Sequence, residues 1–143
     1  MDGIPTLPPR SIAILDRRPE YARMLASLAA EDHRDIPIHL FDCLDAAQQW
    51  IEAAVGPVVV LVDVSAANGA IIERAQQWRT RIGIVLIAMF DKRTEDDVER
   101  ASLVQADATF AKPYCKAMWA HSFGVFLRDT LLPERASREQ RSA

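Results

Sequence analysis

Five residues constrain this chain more than any others: Val58, Val59, Val60, Leu61 and Val62 run without a polar break and stop on Asp63. An extended strand turns successive side chains to opposite faces. A run that is apolar at every position is therefore buried on both faces, as in the interior of a parallel sheet. All of the run except Leu61 is β-branched, which suits a strand. Ile84 to Met89 repeats the pattern. Ser11 to Leu15 is a shorter compact run, and it too ends on an acid, Asp16. Strands buried on both faces need helices on both faces.

The segments between these runs supply them. Pro19 suits the first turn of a helix, where its missing N–H costs nothing. Tyr21, Met24, Leu25, Leu28 and Ala29 follow at helical spacing. Ile36 to Phe41 reads as a second strand, and Pro37 within it argues for a sheet edge. Asp42 or Asp45 is placed to cap a second helix carried by Leu44, Ala47, Trp50 and Ile51, which Gly56 and Pro57 stop. Ala67, Asn68 and Gly69 make a turn before a third helix over Ala70 to Arg81. Thr94 caps a polar fourth helix with Asp96 and Asp97 in its first turn and Val98, Ala101 and Leu103 on its apolar face. Ala108 to Ala111 is a fifth strand. A last helix, Lys116 to Leu132, packs Met118, Trp119, Phe123, Phe126 and Leu127 and ends at Pro133. The expected organisation is an irregular leader over residues 1–10, one domain over 11–132 and a polar tail over 133–143. The strand–helix unit recurs five times, so the sheet is parallel with right-handed crossovers. In such sheets chemistry gathers outside the carboxyl ends of the strands. That singles out Asp16, Asp63, Ala88 or Met89, and Lys112.

Composition removes several functional classes. With 143 residues, half of them apolar and 26% charged, the chain is one ordinary globular domain. A net charge of −3 gives no basic face for nucleic acid and no polybasic membrane patch. The longest apolar run, Ile82 to Phe90, is too short to span a bilayer. Proline at positions 5, 8 and 9 replaces the apolar stretch of a signal peptide, so a cytoplasmic location is expected. Cys43 and Cys115 form no CxxC pair and read as reduced thiols. His33, His39 and His121 lack metal-ligand spacing. There is no Walker-type loop, no GxSxG elbow and no HExxH helix, so a hydrolytic enzyme has no footing.

The strand ends carry a resemblance. Ile14-Leu15-Asp16-Arg17-Arg18-Pro19 resembles the first motif of response-regulator receiver domains of two-component signalling, where the first strand ends in an acidic pair. Val60-Leu61-Val62-Asp63 looks like their phospho-acceptor strand. Phe110-Ala111-Lys112-Pro113-Tyr114 is similar to their Lys-Pro-aromatic signature, and Gln105-Ala106-Asp107-Ala108 resembles the Gly-Ala segment before the fifth strand, with Gln105 in place of Gly. The likeness spans Ser11 to Leu132. It implies a flavodoxin-like, doubly wound α/β fold with five parallel strands in the order 2-1-3-4-5. It also implies a non-enzymatic switch, limited to taking up a phosphoryl group on Asp63 and losing it again. The acidic pair and that Asp would hold Mg²⁺, and Lys112 would pair with the phosphoryl oxygens. The implied partners are a histidine kinase or another signalling protein, with a possible homodimer through the fourth-helix to fifth-helix face.

Three departures alter that switch. Asp16 keeps the first position of the acidic pair, but Arg17 takes the second. The switch Ser/Thr position falls on Ala88 or, with a shifted gap, Met89, and neither carries a hydroxyl. The loop after Asp63 reaches Gly69 early and lacks the usual Pro. Charge gives the consequence. Asp16 and Asp63 contribute −2, Arg17 and Lys112 contribute +2, and the net is zero where a divalent cation would need an acidic site. Two unit charges about 4 Å apart repel by roughly 4 kcal/mol at an effective dielectric of about 20. Weak or absent Mg²⁺ binding is expected, with Arg17 standing in for the metal by pairing with Asp63 or Asp16. Arg18 reads as a solvated charge. Two other functions stay open: a phosphorylation-independent interaction or dimerisation scaffold, and a flavodoxin-like ligand-binding domain.

Overall fold

The computed structural model describes residues 11–54, 57–64, 69–78, 83–91, 95–126 and 128. The elements alternate: β1 (Ser11–Leu15), α1 (Pro19–Asp32), β2 (Ile38–Phe41), α2 (Leu44–Ala53), β3 (Val58–Asp63), α3 (Gly69–Trp78), β4 (Ile84–Phe90), α4 (Glu95–Val104), β5 (Ala108–Ala111) and α5 (Lys116–Trp119), with a π-helical turn over Ala120–Gly124. The sheet is parallel throughout, in the order β2-β1-β3-β4-β5.

The alternation of side chains in the apolar strands divides the core in two. Ile12, Ile14, Val59, Leu61, Val85, Ile87 and Met89 face α1 and α5, where Tyr21, Leu25, Trp119 and Phe123 cover them. Ala13, Val60, Val62, Leu86 and Ala88 face the other way, onto Ile51, Ala75, Trp78, Ala101 and Val104 of α2, α3 and α4. Both sides of β3 and β4 are buried, which is why these strands carry no polar residue before their ends.

Several boundaries and packing assignments differ from the sequence reading. β2 starts at Ile38, not Ile36, because Pro37 has no N–H for the ladder. Its carbonyl still accepts from Ile12 N at 2.9 Å, and the strand lies at the sheet edge as Pro37 suggests. Neither Asp42 nor Asp45 caps α2. Cys43 occupies that position without a side-chain bond, and Asp45 lies in the first turn. Val98 and Leu103 are exposed, while Ala101 and Val104, one helical turn apart, form the buried stripe of α4. Met118 is exposed for the same reason, since Trp119 and Phe123 share the inward face. Thr94, Gly56, the Ala67–Asn68 turn, the end of the third helix near Arg81, Leu127 and Pro133 lie outside the described residues. No helix among the described residues is long and apolar enough to cross a membrane.

Candidate functional site at the carboxyl ends of the strands

β1, β3 and β5 deliver three charged residues to one edge of the sheet. Asp16 follows β1 directly, and its N–H extends the ladder to Phe41 O at 3.1 Å. Asp63 is the last residue of β3. Lys112 follows β5, anchored through its N–H to Phe90 O at 2.8 Å. These backbone bonds fix where each side chain starts.

The Lys112 ammonium is buried with 0% of its side chain exposed. It donates to Asp16 Oδ2 at 2.8 Å and lies 3.3 Å from Asp63 Oδ2. The other Asp16 oxygen accepts from Arg18 N at 2.8 Å. A buried ammonium is tolerated only with such partners. Its nearest carboxylate is thus Asp16, with Asp63 second. The Tyr21 ring covers the ammonium at 4.9 Å from its centroid, a cation–π contact.

A second set of charges lies over the first. Asp91, the residue after β4, accepts from Arg18 Nη2 at 2.9 Å and from the Tyr114 hydroxyl at 2.7 Å. Lys112 Nζ is 3.9 Å from the same oxygen. Arg18 also reaches the Tyr114 hydroxyl at 3.4 Å and lies 5.4 Å over the Tyr21 ring. Arg18 is thus a paired residue, not only a solvated charge. Tyr21 donates to Pro113 O at 2.8 Å, and its ring packs against Tyr114 at 5.2 Å. Burial raises the Tyr21 hydroxyl pKa well above its usual value, and the nearby Tyr114 and Asp16 add to the shift. The Tyr114 hydroxyl, followed by Asp91, holds the Arg18 pKa up against desolvation. Partial burial opposes the Asp91 charge, but the Tyr114 hydroxyl, Lys112 and Arg18 outweigh it and lower its pKa. Sequence reading missed Asp91 and assigned Tyr21 only to the core. The one available signal was an acid directly after an apolar strand, the same pattern that marks Asp16 and Asp63.

The β3–β4 register places both switch-position candidates beside β3. Asp63 lies across from Met89, and Ala88 lies across from Val62. Met89 and Ala88 are both fully buried, and neither side chain carries a hydroxyl. Arg17 departs from its expected role. It is exposed and makes no ion pair with Asp16 or Asp63 among the described residues. Asp16 turns inward, its neighbour turns outward, and Lys112 already satisfies both carboxylates. Arg17 instead lines a cavity of about 120 Å³ with Asp16, Asp42 and Asp63.

This donor set does not suit the Mg²⁺ that receiver domains bind. Both Asp16 oxygens accept hydrogen bonds, Asp63 leans on Lys112, and a guanidinium borders the cavity. Hard divalent cations need several oxygen ligands at once, and no cluster of three metal-ligating side chains forms among the described residues.

The fold and strand order are those of receiver domains. The chain is similar to the beryllofluoride-activated NtrC4 receiver domain dimer, at 15% identity and a TM-score of 0.67, over 85% of this chain and 96% of that one. It is similar to the signal receiver domain of an HD domain-containing protein from Pseudomonas fluorescens, at 13% identity and 0.68, over 97% of each chain. A co-crystal of a Saccharomyces cerevisiae histidine phosphotransfer signalling protein with the receiver domain of its downstream response regulator matches at 18% identity and 0.58, over 76% of this chain and 82% of that one. No protein-family model and no curated protein matches the sequence.

Proposed function

We propose that this chain is a receiver-like signalling module that acts through protein–protein contacts and does not depend on phosphorylation. The observation that carries this reading is the register that pairs Asp63 with Met89, a buried residue without a hydroxyl. Arg17 in the second place of the acidic pair supports the same reading. Its partners are a histidine kinase, another signalling protein or a second copy of the chain. The exposed Val98 and Leu103 of α4 and the exposed Tyr114 and Met118 near α5 offer apolar area for such contacts.

A second reading keeps Asp63 as phosphoacceptor. It is favoured by the carboxylate's place on the wall of a cavity that Arg17 also lines. A ligand-binding role has less support, because the two cavities that share Asp16 and Asp42 measure about 120 and 260 Å³, under the roughly 300 Å³ at which drug-sized ligand pockets begin. Intact-protein mass after incubation with acetyl phosphate and Mg²⁺ separates the two signalling readings. The expected result is no adduct on folded protein. An adduct that disappears in Asp63→Ala would establish the phosphoacceptor and overturn the constitutive reading.

A further inference from the structure

The β4–α4 connection begins at Asp91, four residues before α4 starts at Glu95. Asp91 is gripped from two other connections: Arg18, between β1 and α1, and Tyr114, between β5 and α5. Both grips have their own supports. Arg18 lies over the Tyr21 ring, and Tyr114 packs against the same ring. Tyr21 is itself pinned to Pro113 O at 2.8 Å. A second tether holds α4 from the opposite side of the site. Arg100 Nε donates to Val64 O at 2.8 Å, and Val64 N donates to Met89 O at 2.8 Å.

We propose that the Arg18–Asp91–Tyr114 clamp is the device that sets the position of α4 in this chain, in place of a hydroxyl-to-phosphoryl contact. The inference rests on reading the chain as a receiver-like module, and it names the regulation of that site. Asp91 is the anion that the Arg18 and Lys112 cations hold, and it is covalently tied to the entry of α4. The clamp therefore converts a charge contact at the strand ends into the placement of a helix that bears the exposed Val98 and Leu103. Arg18 and Asp91 side chains are 50% and 39% exposed, so a partner can reach and open the clamp without unfolding the sheet. Arg18, Asp91 and Tyr114 are positioning residues.

Backbone amide shifts and hydrogen exchange of the full chain test this. Asp91→Asn and Tyr114→Phe should move the amides of Glu95 to Val104 and speed their exchange roughly three- to fivefold, while β3 and β4 amides stay protected. Arg18→Lys, which keeps the charge, should hold α4 near its wild-type state. If Asp91→Asn fails to fold, Tyr114→Phe removes only one hydroxyl and carries the test. Changes confined to residues around positions 18, 91 and 114, with α4 exchange unaltered, would overturn the proposal. An Asp63 adduct in the mass experiment would instead overturn the constitutive reading, so the two failures are distinct.

Discussion

Two ion pairs of nearly equal length lie a few ångströms apart in this site. Lys112 to Asp16 spans 2.8 Å with 0% of either side chain exposed. Arg18 to Asp91 spans 2.9 Å with half and two fifths exposed. Distance makes them alike, and burial separates them. Charges taken out of water must keep their partners, because an orphaned one has no solvent to return to. Charges at the surface exchange one partner for water at little cost. The inner pair is therefore a structural fixture and the outer pair an adjustable contact.

The sharpest way to break that comparison is Lys112→Met. It leaves Asp16 buried against Tyr21 with no ammonium, and should cost about 3–5 kcal/mol in urea unfolding. Adding Asp16→Asn should recover much of the loss, because the orphaned charge is gone. A single variant within 1 kcal/mol of wild type would show that water reaches the pair. Next in size is Arg17→Asp, which rebuilds the acidic pair beside Asp63. Mg²⁺ affinity by calorimetry should rise by at least roughly tenfold, since a repelling charge becomes a ligand. Unchanged affinity would mean that Lys112, not Arg17, is the obstacle. Arg18→Gln should cost less than about 1 kcal/mol, and the cost should shrink at high salt. A loss as large as that of Lys112→Met would erase the distinction.

The sheet was legible because its strands are written in the simplest code. Runs apolar at every position place β3 and β4 within one residue of expectation, and the strand–helix alternation places β1 and β5, which carry Ser11 and Thr109. Ala88 and Met89 both lack a hydroxyl in the sequence, and the register pairs Met89 with Asp63. Arg17 was misread because adjacency in a motif says nothing of which side of the chain turns inward. Asp91 was missed because its partners lie 73 and 23 residues away. No local pattern encodes such a contact. Gln105 lies between these cases. It occupies the place where the resemblance expects Gly, and it adopts φ of 59°, the conformation glycine tolerates. Gln105→Gly should stabilise the fold by roughly 0.5–1 kcal/mol, read as a higher urea midpoint at unchanged slope. A lower midpoint would mean that the Gln105 side chain makes a contact worth more than the backbone strain.

The smallest effect is the most direct probe of the outer pair. The Asp91 pKa is lowered from 3.8 by the Tyr114 hydroxyl, Lys112 and Arg18 acting against partial burial. A carboxyl whose folded pKa lies below its unfolded one binds fewer protons in the native state. Its contribution is complete above the unfolded value and is lost as pH falls through the folded one. The clamp should therefore hold down to about pH 3.8 and open only below it. Carbon-detected titration of the Asp91 carboxyl should show a depressed midpoint, with α4 amides moving along the same curve. Arg18→Gln should raise that midpoint toward the ordinary value, while Lys112 keeps it from returning fully. An Asp91 that titrates at the ordinary value in the wild-type chain would mean that solvent has already opened the contact. Both pairs would then behave as their exposure alone dictates, and the Asp91 contacts would not position α4.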